Sequence, residues 1–159
     1  MGGAVLGVFH PTITVSDMDQ ALAFYRDVLG LHPTFDDLHE PQALSRLLGY
    51  DDPDVRAVIV EAPDGSEIEL AEFRRPKGRP KVARDWADAG LSLLSLRVTG
   101  IEELMARITR AGFSFTSELV HQTLPDGAVA KVAVCLGPDG VSVTLSELPS
   151  DRTSLSPKG

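Results

Sequence analysis

Histidine and a desolvated glutamate are the side chains that move protons near neutral pH. This chain places one of each, His10 and Glu69, in stretches where polar and apolar residues alternate. In His10-Pro11-Thr12-Ile13-Thr14-Val15, the residues His10, Thr12 and Thr14 share one side, while Phe9, Ile13 and Val15 share the other. In residues 67–73, Ile68 and Leu70 share one side and Glu67, Glu69, Ala71 and Phe73 the other. Apolar faces of strands meet helices, so the polar faces line a cavity. There His10 and Glu69 make either an acid–base pair, part of a metal site, or a structural hydrogen bond with no chemistry attached.

A second pair of stretches alternates in the same way. Leu94, Leu96 and Val98 belong to a helix-facing side, leaving Leu93, Ser95 and Arg97 on the cavity side. Val143 and Leu145 leave Ser142, Thr144 and Ser146 there. Arg97 is the cavity-facing cation, suited to a developing oxyanion or to pairing with Glu69 or Glu67. Thr12, Thr14, Ser95, Ser142 and Thr144 suit hydrogen bonding to a polyoxygenated ligand.

The elements that position these residues come in two copies. After the first strand, Ser16-Asp17 offers a cap to a helix carrying Met18, Leu22, Tyr25 and Leu29, which Gly30 ends. After the second, Thr99-Gly100 leads into a helix carrying Leu104, Met105, Ile108 and Ala111, which Gly112 ends. His10 and Leu93 are 83 positions apart, as are Val15 and Val98. Each copy closes with a hairpin, turning at Pro63-Asp64-Gly65 and at Pro138-Asp139-Gly140, here 75 positions apart. The pattern predicts an α+β fold of two tandem β-α-β-β-β modules, with helices outside. Module one spans about residues 6–74, a basic linker 75–90 and module two about 91–148, forming one domain over 1–148. Residues 38–50 carry Leu44, Leu47 and Leu48 on one helical face, and the polar tail 149–159 is expected to be disordered.

His10-x-x-x-x-Val15-x-Asp17, Phe24-Tyr25-x-x-x-Leu29-Gly30 and Pro63-Asp64-Gly65-x-x-Ile68-Glu69-Leu70 together resemble the vicinal oxygen chelate superfamily. That group includes glyoxalase I, methylmalonyl-CoA epimerase, extradiol dioxygenases, fosfomycin-resistance and bleomycin-binding proteins. The resemblance implies that the paired modules curl into a barrel-like cup with a small-molecule site inside. It also implies a homodimer, and one divalent ion (Zn, Ni, Mn, Fe or Mg) held by a ligand from each of four strands. The matching positions are His10, Glu69, Leu93 and Thr144. Leucine cannot coordinate a cation and a neutral threonine hydroxyl is a poor carboxylate substitute, so tight metal binding is not expected. Glu67, two residues from Glu69 on the same face, and His121 and His39, in loop-like segments that read as surface unless they swing in, are the side chains left to complete the set.

Composition narrows the function further. Twenty-three acidic and 15 basic residues in 159 give a formal charge of −8. The sequence pI near 4.9 argues against nucleic acid or an anionic membrane as partner. No apolar run approaches the about 20 residues of a membrane span, and no signal peptide is recognisable at residues 1–9. A cytoplasmic location is expected. The single cysteine, Cys135, excludes an intrachain disulfide and a cysteine-rich zinc site, and reads as a buried structural thiol. Tyr25 reads as core. The function expected is a glyoxalase-like lyase or isomerase that transfers a proton next to a carbonyl. The alternatives are a metal-free small-molecule binding or sequestering protein of the bleomycin-resistance type and a metal-independent enzyme using the same cup.

Overall fold

In a computed structural model, residues 3–38, 41–79, 86–87 and 93–155 are described. They divide into two units, Met1–Pro80 and Lys81–Gly159. The architecture is mixed α+β, and each unit contains the expected β-α-β-β-β order, the first with an added helix at Pro41–Leu48 and the second with an added strand at Val120–Thr123.

In the first unit the leading alternation becomes β1 (Thr12–Val15). Asp17 then caps α1 (Met18–Leu22), its carboxylate accepting from the Gln20 backbone N–H at 3.0 Å. The helix widens into a π-helical stretch at Ala23–Val28, which the residue spacing does not announce. Met18, Ala21, Leu22, Phe24, Tyr25 and Val28 are all buried. The Phe24 and Tyr25 rings meet edge-on at 5.1 Å. Burying a side chain of this size contributes about 1.5–3 kcal/mol, which fixes this face of the helix against the sheet. Gly30, at φ +79°, takes the left-handed turn that ends it. There follow β2 (His32–Leu38), α2 (Pro41–Leu48), β3 (Asp54–Glu61) and β4 (Glu67–Arg75). The sheet order is β1-β4-β3-β2, with β1 parallel to β4 and the other pairs antiparallel. The β3–β4 turn closes with the Ala62 N–H on the Ser66 carbonyl at 2.8 Å and Gly65 at φ +84°.

Three readings need correction. The helix of residues 38–50 is shorter, Pro41–Leu48, and Leu47 on its apolar face is 78% exposed. Arg75, read as the start of the linker, belongs to β4 and pairs with Asp52 at 2.8 Å. After the last strand, Arg152 is buried, pairs with Asp126 and has its N–H on the Pro149 carbonyl at 2.9 Å. The segment after the last strand is therefore anchored as far as Arg152, where the polar composition suggested disorder.

The second unit runs β5 (Leu94–Arg97), α3 (Ile101–Arg110), β6 (Ser114–Phe115), β7 (Val120–Thr123), β8 (Val129–Leu136) and β9 (Ser142–Glu147). Its sheet order is β5-β9-β8-β6, with β7 also on β8. Ile101, Leu104 and Ile108 on α3 are buried, as are Ala133, Cys135, Val143 and Leu145 on the sheet. Gly100 precedes α3 in a left-handed conformation and offers no side chain to cap the helix; its own N–H donates to the Glu147 carboxylate on β9.

Candidate functional site

Strand register decides which residues share a face. In the first unit Thr12 lies opposite Glu69, which lies opposite Ile59, which lies opposite Phe35. The next row is Thr14, Ala71, Ala57 and Asp37. Toward the β3–β4 turn, Glu67 faces Glu61, which faces His32. Phe73 completes the face, its ring 6.2 Å from that of Tyr50. Glu72 lies on the opposite face, where its carboxylate accepts from the Met18 N–H of α1 at 3.4 Å. The inward set read from alternation, Thr12, Thr14, Glu67, Glu69, Ala71 and Phe73, therefore shares the face turned away from the helix.

Glu69 is the centre of this face. Its Oε2 accepts from the Thr12 hydroxyl at 2.5 Å. The Nε2 of His10 stands 3.5 Å from the same oxygen. The two side chains are only 19% (His10) and 13% (Glu69) exposed. His10 lies two residues ahead of β1, and its place is set by the Glu69 N–H donating to the Pro11 carbonyl at 3.0 Å. The Phe9 ring packs at 4.5 Å from the imidazole. Among the described residues, the buried Nδ1 of His10 has no hydrogen-bond partner. A hydroxyl and an imidazole thus converge on one oxygen of a largely buried carboxylate. Such a group can accept a proton, and the imidazole beside it can donate one.

The second unit presents a different face. Ser95 lies opposite Thr144 and Arg97 opposite Ser146, with Ser142 one pair further along β9. Leu93 lies ahead of β5 and is 40% exposed. His121 is a correction: it pairs with Lys131, whose ammonium reaches Glu102 on α3 at 2.6 Å, so it stands on the helix side. His39 lies outside the described residues.

These residues do not fit a four-ligand metal centre. His10 and Glu69 supply one imidazole and one carboxylate, whereas Leu93 and Thr144 supply no ligand group of that kind. Among the described residues no group of three or more His, Cys, Asp or Glu is arranged to hold a metal ion. Cys135 is fully buried and its thiol is pushed up to about 11 by that burial, so it is no nucleophile. Sequence reasoning missed Glu61 and His32. Period-two counting along 55–61 and 32–38 was the available signal, but β2 carries a register shift between Pro33 and Phe35 that breaks the count.

Comparison with known proteins supports this architecture. A glyoxalase family protein from Bacillus cereus superposes with a TM-score of 0.79 at 23% identity, covering 92% of this chain and 96% of that one. A glyoxylase/bleomycin resistance protein/dioxygenase domain from Frankia sp. gives 0.65 at 21% identity, with coverage of 94% and 96%. A fosfomycin resistance protein from Listeria monocytogenes, complexed with Mn(II) and sulfate, gives 0.60 at 13% identity, with coverage of 93% and 97%. No curated protein matches. A sequence model matches residues 7–145, and the chain belongs to the Glyoxalase/Bleomycin resistance protein/Dioxygenase superfamily.

Proposed function

We propose that the protein is a small-molecule lyase or isomerase that moves a proton next to a carbonyl, with Glu69 as the base. The observation that carries this reading is the convergence of Thr12 and His10 on Oε2 of a carboxylate that is only 13% exposed. The Thr12 hydroxyl holds Oε2, and the Glu69 carboxylate takes the proton from the substrate carbon. The C–H pair passes into the carbonyl as an enolate, and the oxygen gains negative charge. The Nε2–H of His10, on the same face, donates to that oxygen. Where the reacting carbon carries a hydroxyl the enolate is an enediolate, and return of the proton from Glu69 to the former carbonyl carbon on the same face, with the hydroxyl proton passing to the other oxygen, completes an isomerisation. Loss of a β-substituent from the enolate completes a lyase step instead. Phe73 and Tyr50 offer apolar surface for the rest of the substrate. In this reading the protein acts in the cytoplasm as a homodimer.

Turnover of a panel of small 2-oxo compounds and thioesters tests the reading. Glu69→Gln is expected to cut kcat/KM by about 10³-fold or more and His10→Ala by about 10²-fold. Unchanged turnover in both variants would sink it. A second reading, metal-free sequestration of a small molecule, is favoured by Leu93 and Thr144 at positions where the family carries ligands. Stoichiometric binding without product formation distinguishes the two.

A further inference from the structure

The face of the second sheet turned away from α3 differs from the corresponding face of the first in charge as well as in residue type. On β5 it carries Ser95 and Arg97, and on β9 Ser142, Thr144 and Ser146. The neighbouring positions on β8 are Val132, Val134 and Leu136, and on β7 Val120. Among the described residues of these four strands, none on this face is Asp or Glu. Glu147 of the same sheet stands on the other face, beside Lys131 and the Gly100 N–H. The one formal charge on this face is therefore a guanidinium.

The register brings that guanidinium and three hydroxyls into one small frame. Ser146 lies directly across from Arg97, and Thr144 directly across from Ser95. Paired strands are about 4.8 Å apart and alternate residues about 6.6 Å apart, so the four positions bound a rectangle of that size. A guanidinium remains charged at any physiological pH and presents a planar fork of donors to carboxylate or phosphate oxygens. A hydroxyl donates one further bond. Arg97 and Ser95 are exposed and Thr144 and Ser146 partly so.

We infer that Arg97, Ser95, Thr144 and Ser146 form an oxyanion-binding subsite on the second unit, which takes the carboxylate or phosphate group of a small molecule. The chemistry is complementary to the first unit, whose corresponding face carries Glu61, Glu67 and Glu69 and repels such a group. The subsite stands independently of the proton-transfer reading, because it concerns binding by other residues on another sheet.

The test is titration of the full chain at low ionic strength with inorganic phosphate and, separately, with acetate, read by backbone amide NMR shifts in β5 and β9. Saturable shifts in these strands are expected. The tighter of the two anions then identifies the group the subsite takes. Arg97→Met is expected to weaken binding at least about tenfold and Thr144→Val about two- to fivefold. Arg110→Met, which removes the same charge from the last turn of α3, is expected to leave it unchanged. Absence of saturation with both anions would overturn the inference. So would saturation that survives Arg97→Met, or that weakens equally in Arg97→Met and Arg110→Met.

Discussion

The two units share one face of their sheets and differ on the other. On the helix side a three-part charge arrangement recurs. In the first unit Glu72 accepts from the N–H of Met18 at the start of α1, Arg56 lies opposite Glu72, and Arg56 approaches Asp19 on α1 at 3.7 Å. In the second, Glu147 accepts from the N–H of Gly100 at the start of α3, Lys131 lies opposite Glu147, and Lys131 reaches Glu102 at 2.6 Å. The strand members are 75 positions apart and the helix acids 83, the same offsets that relate the hairpins and the leading strands. The eight-position difference equals the length of α2, which the first unit carries between its helix and its hairpin. On the inner side nothing of the kind survives. Glu69 corresponds to Thr144, His10 to Leu93 and Thr14 to Arg97.

The physical reason is a division of labour. A helix start packed on a sheet has N–H groups that lack intrahelical partners, and a strand carboxylate satisfies one while favouring the positive end of the helix dipole. Folding needs that in both units. Nothing in folding requires a particular residue on the face turned away from the helix, so it is there that function can differ between copies.

The largest effect expected to sharpen this contrast is on stability from the helix side. Glu72→Ala strips the acceptor from Met18 and leaves Arg56 with one acid fewer; a loss of about 1–2 kcal/mol is expected, which lowers Tm by about 3–6 °C in a thermal melt. Thr12→Val, on the inner side, is expected to leave Tm within about 1–2 °C and reduce kcat about tenfold, because Glu69 loses its orienting donor. A Tm loss as large as that of Glu72→Ala would break the contrast. Lys131→Met removes exposed ion pairs with Glu102 and Glu147 and is expected to lower stability less than Glu72→Ala does in chemical denaturation.

The smallest effect concerns acid. The two-point hydrogen bond from Arg56, at 2.9 and 2.6 Å, holds the Asp36 carboxyl below its ordinary range. A depressed carboxylate contributes stability above its ordinary pKa near 4, and the contribution is lost as pH falls through the folded-state value. Asp36 is half exposed, so the contribution is only about 0.5 kcal/mol. Asp36→Asn is expected to flatten the loss of stability between about pH 5 and 3 by that amount, measured by urea unfolding at each pH.

Much of this fold was legible in the sequence because period-two and helical spacing are local signals. The capping Asp17, the stops at Gly30 and Gly112, and both Pro-Asp-Gly turns sit where local chemistry puts them. The inward parity of Thr12, Glu69, Ser95 and Thr144 followed from counting apolar partners. What escaped was set by pairing between distant segments. His121 looked like a loop residue because β7 shows no apolar alternation, and only its register with Lys131 reveals the side it occupies. Arg152 looked like tail because its burial depends on Asp126, 26 residues earlier. Glu61 and His32 reached the acidic face through a strand whose register shift defeats counting.

The central claim is that the inner face of the first unit does chemistry while the opposite face of the same strand holds the fold together. Glu69 and Glu72, three residues apart on β4, test it side by side. The measurement is exchange of solvent deuterium into the carbon next to the carbonyl of a substrate that the native protein turns over, followed by proton NMR. The account predicts that Glu69→Gln abolishes exchange with its melting temperature intact, while Glu72→Ala melts earlier and exchanges at the native rate below its transition. Exchange that persists in Glu69→Gln would contradict it.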